Sequence, residues 1–239
     1  MLTDVSMEIE RGEMIGIVGK TGSGKSTLLS LLMGLLDATE GRVLYDGVDI
    51  TELRRRDLFD LMALVPQEPV LFMETVADNI RIGNPGASMD EVMQAARAAQ
   101  IHDEILKMDG GYEARIADGA ASPDEATSRG LSVGQKQRIC IAAAILRSAP
   151  LVFLDEATSS VDSATEERIQ AATDELLSGR TSFVIAHRLS TLRRASRIAV
   201  MQEGSLVGFG SHEALMAECD AYKILWSTQF GEDGGERAS

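Results

Sequence analysis

The residues with the plainest chemistry are Gly19-Lys20-Thr21-Gly22-Ser23-Gly24-Lys25-Ser26-Thr27, which fit G-x-x-x-x-G-K-[ST]. They follow an apolar segment ending at Val18 and open a helical pattern over 26–36, the strand, loop and helix order that a phosphate-binding loop requires. Glycines let successive backbone N–H groups approach phosphate oxygens closely, and the helix N-terminus adds partial positive charge. Gly19, Thr21, Gly22, Ser23, Gly24 and Thr27 would then cradle phosphates, Lys25 would reach the β- and γ-phosphates, and the Ser26 hydroxyl would ligate Mg²⁺. A second pattern, Leu151-Val-Phe-Leu-Asp155-Glu156, is an apolar strand ending in two carboxylates. Asp155 is placed to hold Mg²⁺ through water, and Glu156 to polarise an attacking water as a general base. A third, Leu131-Ser-Val-Gly-Gln-Lys-Gln-Arg138, sets Ser132 three residues ahead of Gln135, the capping-box spacing, at the head of a helix running towards Arg147.

These residues need a scaffold of strands and helices, and the chain supplies one. Short apolar runs at 14–18, 61–65, 151–154, 181–185 and 198–201 alternate with helical patterns, which predicts an α/β fold with a largely parallel sheet. Residues 42–45 before Asp46-Gly47 read as a small antiparallel piece. Between about 75 and 149 strand signals vanish and Ala, Gln, Met and Glu recur at helical spacing, so a helical lobe is expected within the sheet domain. The expected organisation is a nucleotide-binding core over 1–71 and 150–230, a helical subdomain over 72–149 and a disordered tail over 231–239.

Composition narrows the function classes. The 239 residues carry 23 Lys+Arg against 37 Asp+Glu, a net charge of −14, while 44% are hydrophobic, ample for a core. Such an acidic surface repels nucleic-acid backbones and anionic headgroups, so no nucleic-acid partner is expected and any phosphate must be held locally. The longest apolar stretch, 28–36, is broken by Ser30 and Gly34. It falls far short of the roughly 20 residues of a membrane span, and no signal peptide is read at the N-terminus. Cys140 and Cys219 stand far apart without Cys/His grouping, which predicts neither a zinc site nor a disulfide framework and favours a reducing compartment.

With these motifs in hand, the chain from about Leu2 to Phe230 resembles the nucleotide-binding domain of an ATP-binding-cassette (ABC) transporter, of exporter type. The resemblance implies a P-loop NTPase fold, a RecA-like mixed sheet core with a small antiparallel part and an inserted helical subdomain. It also implies ATP and Mg²⁺ as ligands, hydrolysis of ATP to ADP and phosphate, and a head-to-tail dimer in which Ser132, Gly134, Gln135 and Asp162 serve the partner's ATP. Gln67 matches the Q-loop that reaches Mg²⁺ and the attacking water, making the implied metal set Ser26, Gln67 and Asp155. His187 matches the switch histidine at the γ-phosphate, joining Glu156, Gln67 and Lys25 in the implied catalytic set. The implied partners are transmembrane domains on the same or another chain and a second nucleotide-binding domain, and the implied location is the cytoplasmic face of a membrane. Relatives carry Gly where Val133 stands, Arg where Ala143 stands, and a Thr-Glu-Val-Gly-Glu-like segment where 116–123 lies. They also have one or two further strands, with an adenine-stacking aromatic, ahead of Leu2, so truncated N-terminal strands are expected; Tyr45, the first aromatic here, is not assigned that role. Two other readings stand beside this one: a hydrolysis-impaired regulatory half of a heterodimer, and a cassette ATPase outside transport.

Overall fold

The computed structural model describes residues 2–116, 130–155, 162–186 and 189–229. Along them run β1 (Met14–Val18), α1 (Lys25–Leu32), β2 (Leu44–Tyr45), β3 (Val48–Asp49), α2 (Arg55–Asp60), β4 (Met62–Val65), α3 (Val76–Arg81), α4 (Met89–Ala98) and α5 (His102–Ile105). There follow α6 (Val133–Arg147), β5 (Leu151–Asp155), α7 (Ser163–Leu177), β6 (Thr181–Ile185), α8 (Leu189–Arg194), β7 (Arg197–Gln202), β8 (Ser205–Gly210), α9 (His212–Glu218) and α10 (Asp220–Gln229). Six strands hydrogen-bond in the order β4-β5-β6-β1-β7-β8, and β2 pairs with β3 in a separate two-stranded piece. β1 is parallel to both neighbours, with Met14 opposite Ser182 and Ile15 opposite Arg197. β8 lies antiparallel to β7, so the sheet is mixed.

By its contacts the chain divides into two compact units. Among the described residues, one takes 2–62, 153–155, 179–186 and 189–229, and the other takes 63–116, 130–152 and 162–178. In the first unit, Ile15, Ile17, Val18, Val184, Ile185, Ile198 and Val200 are buried, as near-continuous apolar runs of parallel strands should be. Phe153 stacks on Phe183 at 5.2 Å. Tyr222 and Leu225 of α10 and Leu215 of α9 join Ile198 and Val200 in one cluster. In the second unit, helices pack on helices: Ile80, Val92, Ala96, Ile101, Ile105, Ile139 and Ile141 are buried there. The closest approach is at Gly83, where a Cβ would stand 2.0 Å from the Ala143 carbonyl oxygen of α6. An isolated bridge between Thr75 and Arg115 is the extended pairing found among the described residues from 72 to 149.

The helix expected over 26–36 is shorter. α1 ends at Leu32, and Gly34, at φ +65°, turns the chain in the left-handed conformation. Leu35 N–H donates to Ser30 O at 2.8 Å and Gly34 N–H to Leu31 O at 3.0 Å, the paired bonds of a Schellman stop. The antiparallel piece expected at 42–45 contracts to Leu44–Tyr45. Its turn is the two-residue kind that Asp46-Gly47 favours, with φ of +51° and +81°. Three strands differ by one residue at an end: β4 starts at Met62, β5 runs on to Asp155, and β7 extends at both ends to Arg197–Gln202. β8, α9 and α10 were not among the expected elements. The tail over 231–239 lies outside the described residues.

Candidate functional site

The loop between β1 and α1 is built on backbone that only small residues allow. Gly19 is buried, and a Cβ there would meet Met201 O at 2.3 Å and Ser23 Oγ at 2.5 Å. Gly22 and Gly24 take φ of +81° and +103°, where side chains are strained. Gly24 caps α1 without any side-chain acceptor, and the first turn holds no acidic residue, so the N–H groups at this helix end have no built-in anion. Ser23 Oγ is buried with no hydrogen-bond partner among the described residues, which leaves its hydroxyl able to donate to a bound group. Lys25 Nζ donates to Gly19 O at 2.8 Å and to Lys20 O at 3.1 Å, which folds its charge over the loop. Burial pushes the Lys25 pKa down, and the negative Asp155 at the end of β5 works against that shift. Ser26 and Thr21 are exposed and Thr27 is half-buried.

The loop is braced from behind. Gly204, in the turn between β7 and β8, donates its N–H to Ser23 O at 3.0 Å and accepts from Thr3 N–H at 2.9 Å. The Leu2 side chain stands 2.5 Å from where a Gly24 Cβ would be. Tyr45 spends its phenol on Leu32 O at the end of α1, and burial pushes its pKa up. That contact gives Tyr45 a structural task at the end of α1.

In the second unit, α6 opens as its spacing predicts. Ser132 Oγ accepts from Gln135 N–H at 3.2 Å, and Gln135 Oε1 accepts from Ser132 N–H at 2.9 Å, a complete capping box. Val133 occupies the first helical position, half exposed, and Gly134 is buried. Gln135 Nε2 goes on to Glu104 Oε2 at 3.0 Å. Asp162 caps α7, its Oδ1 accepting from Thr165 N–H at 3.0 Å, and hydrogen bonds from the Thr165 side chain and backbone hold its carboxyl below the usual range. Gln67 lies two residues past β4 and is exposed.

The structure thus brings Gly19, Thr21, Gly22, Ser23, Gly24, Lys25, Ser26, Thr27 and Asp155 into one unit, whereas Gln67, Ser132, Gly134, Gln135 and Asp162 belong to the other. Glu156 and His187 lie outside the described residues. Sequence reasoning missed Glu104, Arg138 and Arg168, whose ion pairs support the Ser132 helix end. Arg138 was visible in the motif as a residue type, but nothing in a single sequence marks it as 1% exposed. The donors available near the loop, the Ser26 hydroxyl and the Asp155 carboxylate, are oxygens, the set that Mg²⁺ prefers.

Comparison with known proteins extends this picture. The family model described as "ABC transporter" matches residues 2–159. The chain is 45% identical over 232 residues to the ATP-dependent lipid A-core flippase of Chromohalobacter salexigens, covering 97% of this chain and 39% of that protein. It is 42% identical over 227 residues to ABC transporter B family member 13 of Arabidopsis thaliana, covering 95% of this chain and 18% of that protein. Among solved structures, a bacterial Atm1-family ABC exporter with ATP bound superposes with a TM-score of 0.84 and 36% identity, over 100% of this chain and 40% of that one. The chain therefore spans well under half the length of these relatives. The phosphate loop, the capped Ser132 helix and the mixed sheet that carries Asp155, together with this family match, establish that the chain belongs to the ABC transporter family as an ATP-binding-cassette domain homologous to those of exporters.

Proposed function

We propose that this domain hydrolyses ATP to ADP and phosphate and thereby powers an exporter, with transmembrane domains and a second nucleotide-binding domain as partners. The observation that carries the reading is the braced loop in which the Ser23 hydroxyl is buried, without a partner among the described residues, beneath an uncapped helix end and the Lys25 ammonium. Each of those groups is a donor, and a triphosphate supplies the matching acceptors. Ser26 and Asp155 are the residues to hold Mg²⁺, joined by Gln67; a bound Mg²⁺ would offset phosphate charge. Glu156 would draw the proton from the attacking water, and His187 would orient the γ-phosphate. Ser132, Gly134, Gln135 and Asp162 would complete the site of a partner copy, which makes hydrolysis depend on association. In the cell such a domain would sit at the cytoplasmic face of a membrane.

Two substitutions test this reading. Lys25→Ala removes charge-assisted hydrogen bonds of about 1.5–3 kcal/mol, so nucleotide affinity should fall roughly 10- to 150-fold. Glu156→Gln should leave nucleotide binding within a factor of about two while phosphate release drops by about 10²–10⁴, the usual worth of a general base. Undiminished hydrolysis by Glu156→Gln removes the proposed base. A second reading, a regulatory half that binds without turnover, draws on Val133, whose half-exposed side chain stands at the first position of α6. A parent chain that binds ATP and releases no phosphate, until Val133→Gly restores release, would favour that reading.

A further inference from the structure

Outside the nucleotide motifs, one carboxylate gathers four side-chain hydrogen bonds. Glu104, on α5, accepts from Arg138 Nη1 at 2.8 Å and Nη2 at 3.1 Å, from Arg168 Nη1 at 2.6 Å and from Gln135 Nε2 at 3.0 Å. Gln135 is the residue whose Oε1 holds the Ser132 N–H, so the carboxylate stands one hydrogen bond behind the capping box. Arg138, with a side chain only 2% exposed, also donates to Gln100 O at 2.6 Å and to Gly134 O at 3.2 Å, pinning the first turn of α6 itself. Arg168 comes from α7, the helix that Asp162 caps. Burial works against the Glu104 charge, yet the bonds from Arg138, Gln135 and Arg168 prevail and hold its carboxyl below the usual range.

We infer that Glu104 is a positioning residue for the ATPase reaction, fixing the Ser132 end of α6 and tying it to α7. The two elements assigned to the partner's nucleotide then keep one mutual geometry. This rests on the proposed reading in which Ser132 acts in trans. A shared anchor suits that task because groups from two helices that serve one nucleotide act only while their spacing is held. Arg138 is buried and the Glu104 side chain is 19% exposed, so replacing the carboxylate by an amide keeps its shape while removing the charge that both arginines read.

The test uses Glu104→Gln in the 239-residue chain, alone and mixed in equal amounts with Lys25→Ala. Glu104→Gln should bind nucleotide like the parent, with an unchanged KM for ATP, while kcat falls about tenfold to hundredfold, as misplacement of groups at a reacting centre does. In the mixture, a hybrid dimer joins the intact phosphate loop of Glu104→Gln to the intact Ser132 end of Lys25→Ala, so phosphate release should exceed that of either protein alone. A role confined to fold stability would lower the melting temperature and show no such recovery. Parent-like kcat for Glu104→Gln, or no recovery on mixing, overturns the inference. Should Glu104→Gln not fold, Arg168→Gln, whose side chain is 55% exposed, replaces it with the same expected split between KM and kcat at smaller size. Turnover by Lys25→Ala alone would instead overturn the proposed function and leave the Glu104 geometry untouched.

Discussion

At the scale of single residues, the site depends as much on atoms that are absent as on those that act. Gly19 has no Cβ because Met201 O and Ser23 Oγ already occupy its place. Gly19→Ala should therefore destabilise the fold by about 1–3 kcal/mol, the cost of forcing an atom into close-packed surroundings, and urea unfolding will measure it. Ser132→Ala removes the acceptor for Gln135 N–H and should cost about 1 kcal/mol of stability, the usual worth of such a cap. Residues such as these were legible because their types and local spacing carry the chemistry: Gly, Lys and Ser at fixed offsets, or Ser followed three residues later by Gln. Glu104 was not legible. Its arginine partners stand 34 and 64 residues away, and only the folded chain brings them to it.

At the scale of elements, glycine and hydroxyl residues punctuate the chain where the local physics demands; the boundaries at Asp46-Gly47 and Ser132 were legible from them, whereas the reading ran the first helix past Gly34 and left Ser88 unmarked. Gly34 stops α1, Asp46-Gly47 turns β2 into β3, and Ser88 and Ser132 open α4 and α6 with full capping boxes. What escaped is equally physical. β8 is a half-exposed strand carrying Gly208 and Gly210, too weakly patterned to announce itself, although Glu203-Gly204 ahead of it takes the positive φ of a hairpin turn. A Cβ at Gly208 would meet Cys219 Sγ at 2.9 Å, a contact supplied by the end of α9, the next element, which packs back on the strand. Gly83 is the corresponding point in the helical unit, where the backbone of α6 itself is the obstacle. Gly83→Ala should cost about 3 kcal/mol, at the upper end of overpacking because a carbonyl cannot step aside as a side chain can. A lowered urea midpoint with an unchanged slope will register it.

At the scale of the whole molecule, charge sets two expectations. Glu13, paired with Arg197, and Glu104 both hold their protons less tightly in the folded chain, the first chiefly through its hydrogen bond from Arg197. Their contribution is complete above the unfolded glutamate pKa of about 4.3 and is lost as pH falls through it to the lower folded values. Glu13→Gln should flatten that acid limb, read by circular dichroism against pH. In the proposed dimer each copy would carry −14, so mutual repulsion would oppose association. ATP-driven association of Glu156→Gln should strengthen as salt rises towards about 0.1–0.2 M, where the screening length shrinks to roughly 8–10 Å; light scattering across a salt series will show the trend. The brace at Gly204 reaches the bench in another way. Leu2 and Thr3 lean on the same few atoms that hold the phosphate loop, so this pair serves as a wedge under it. Leu2→Ala takes that wedge away without touching any group that meets phosphate, and nucleotide affinity, read by titration, should fall all the same.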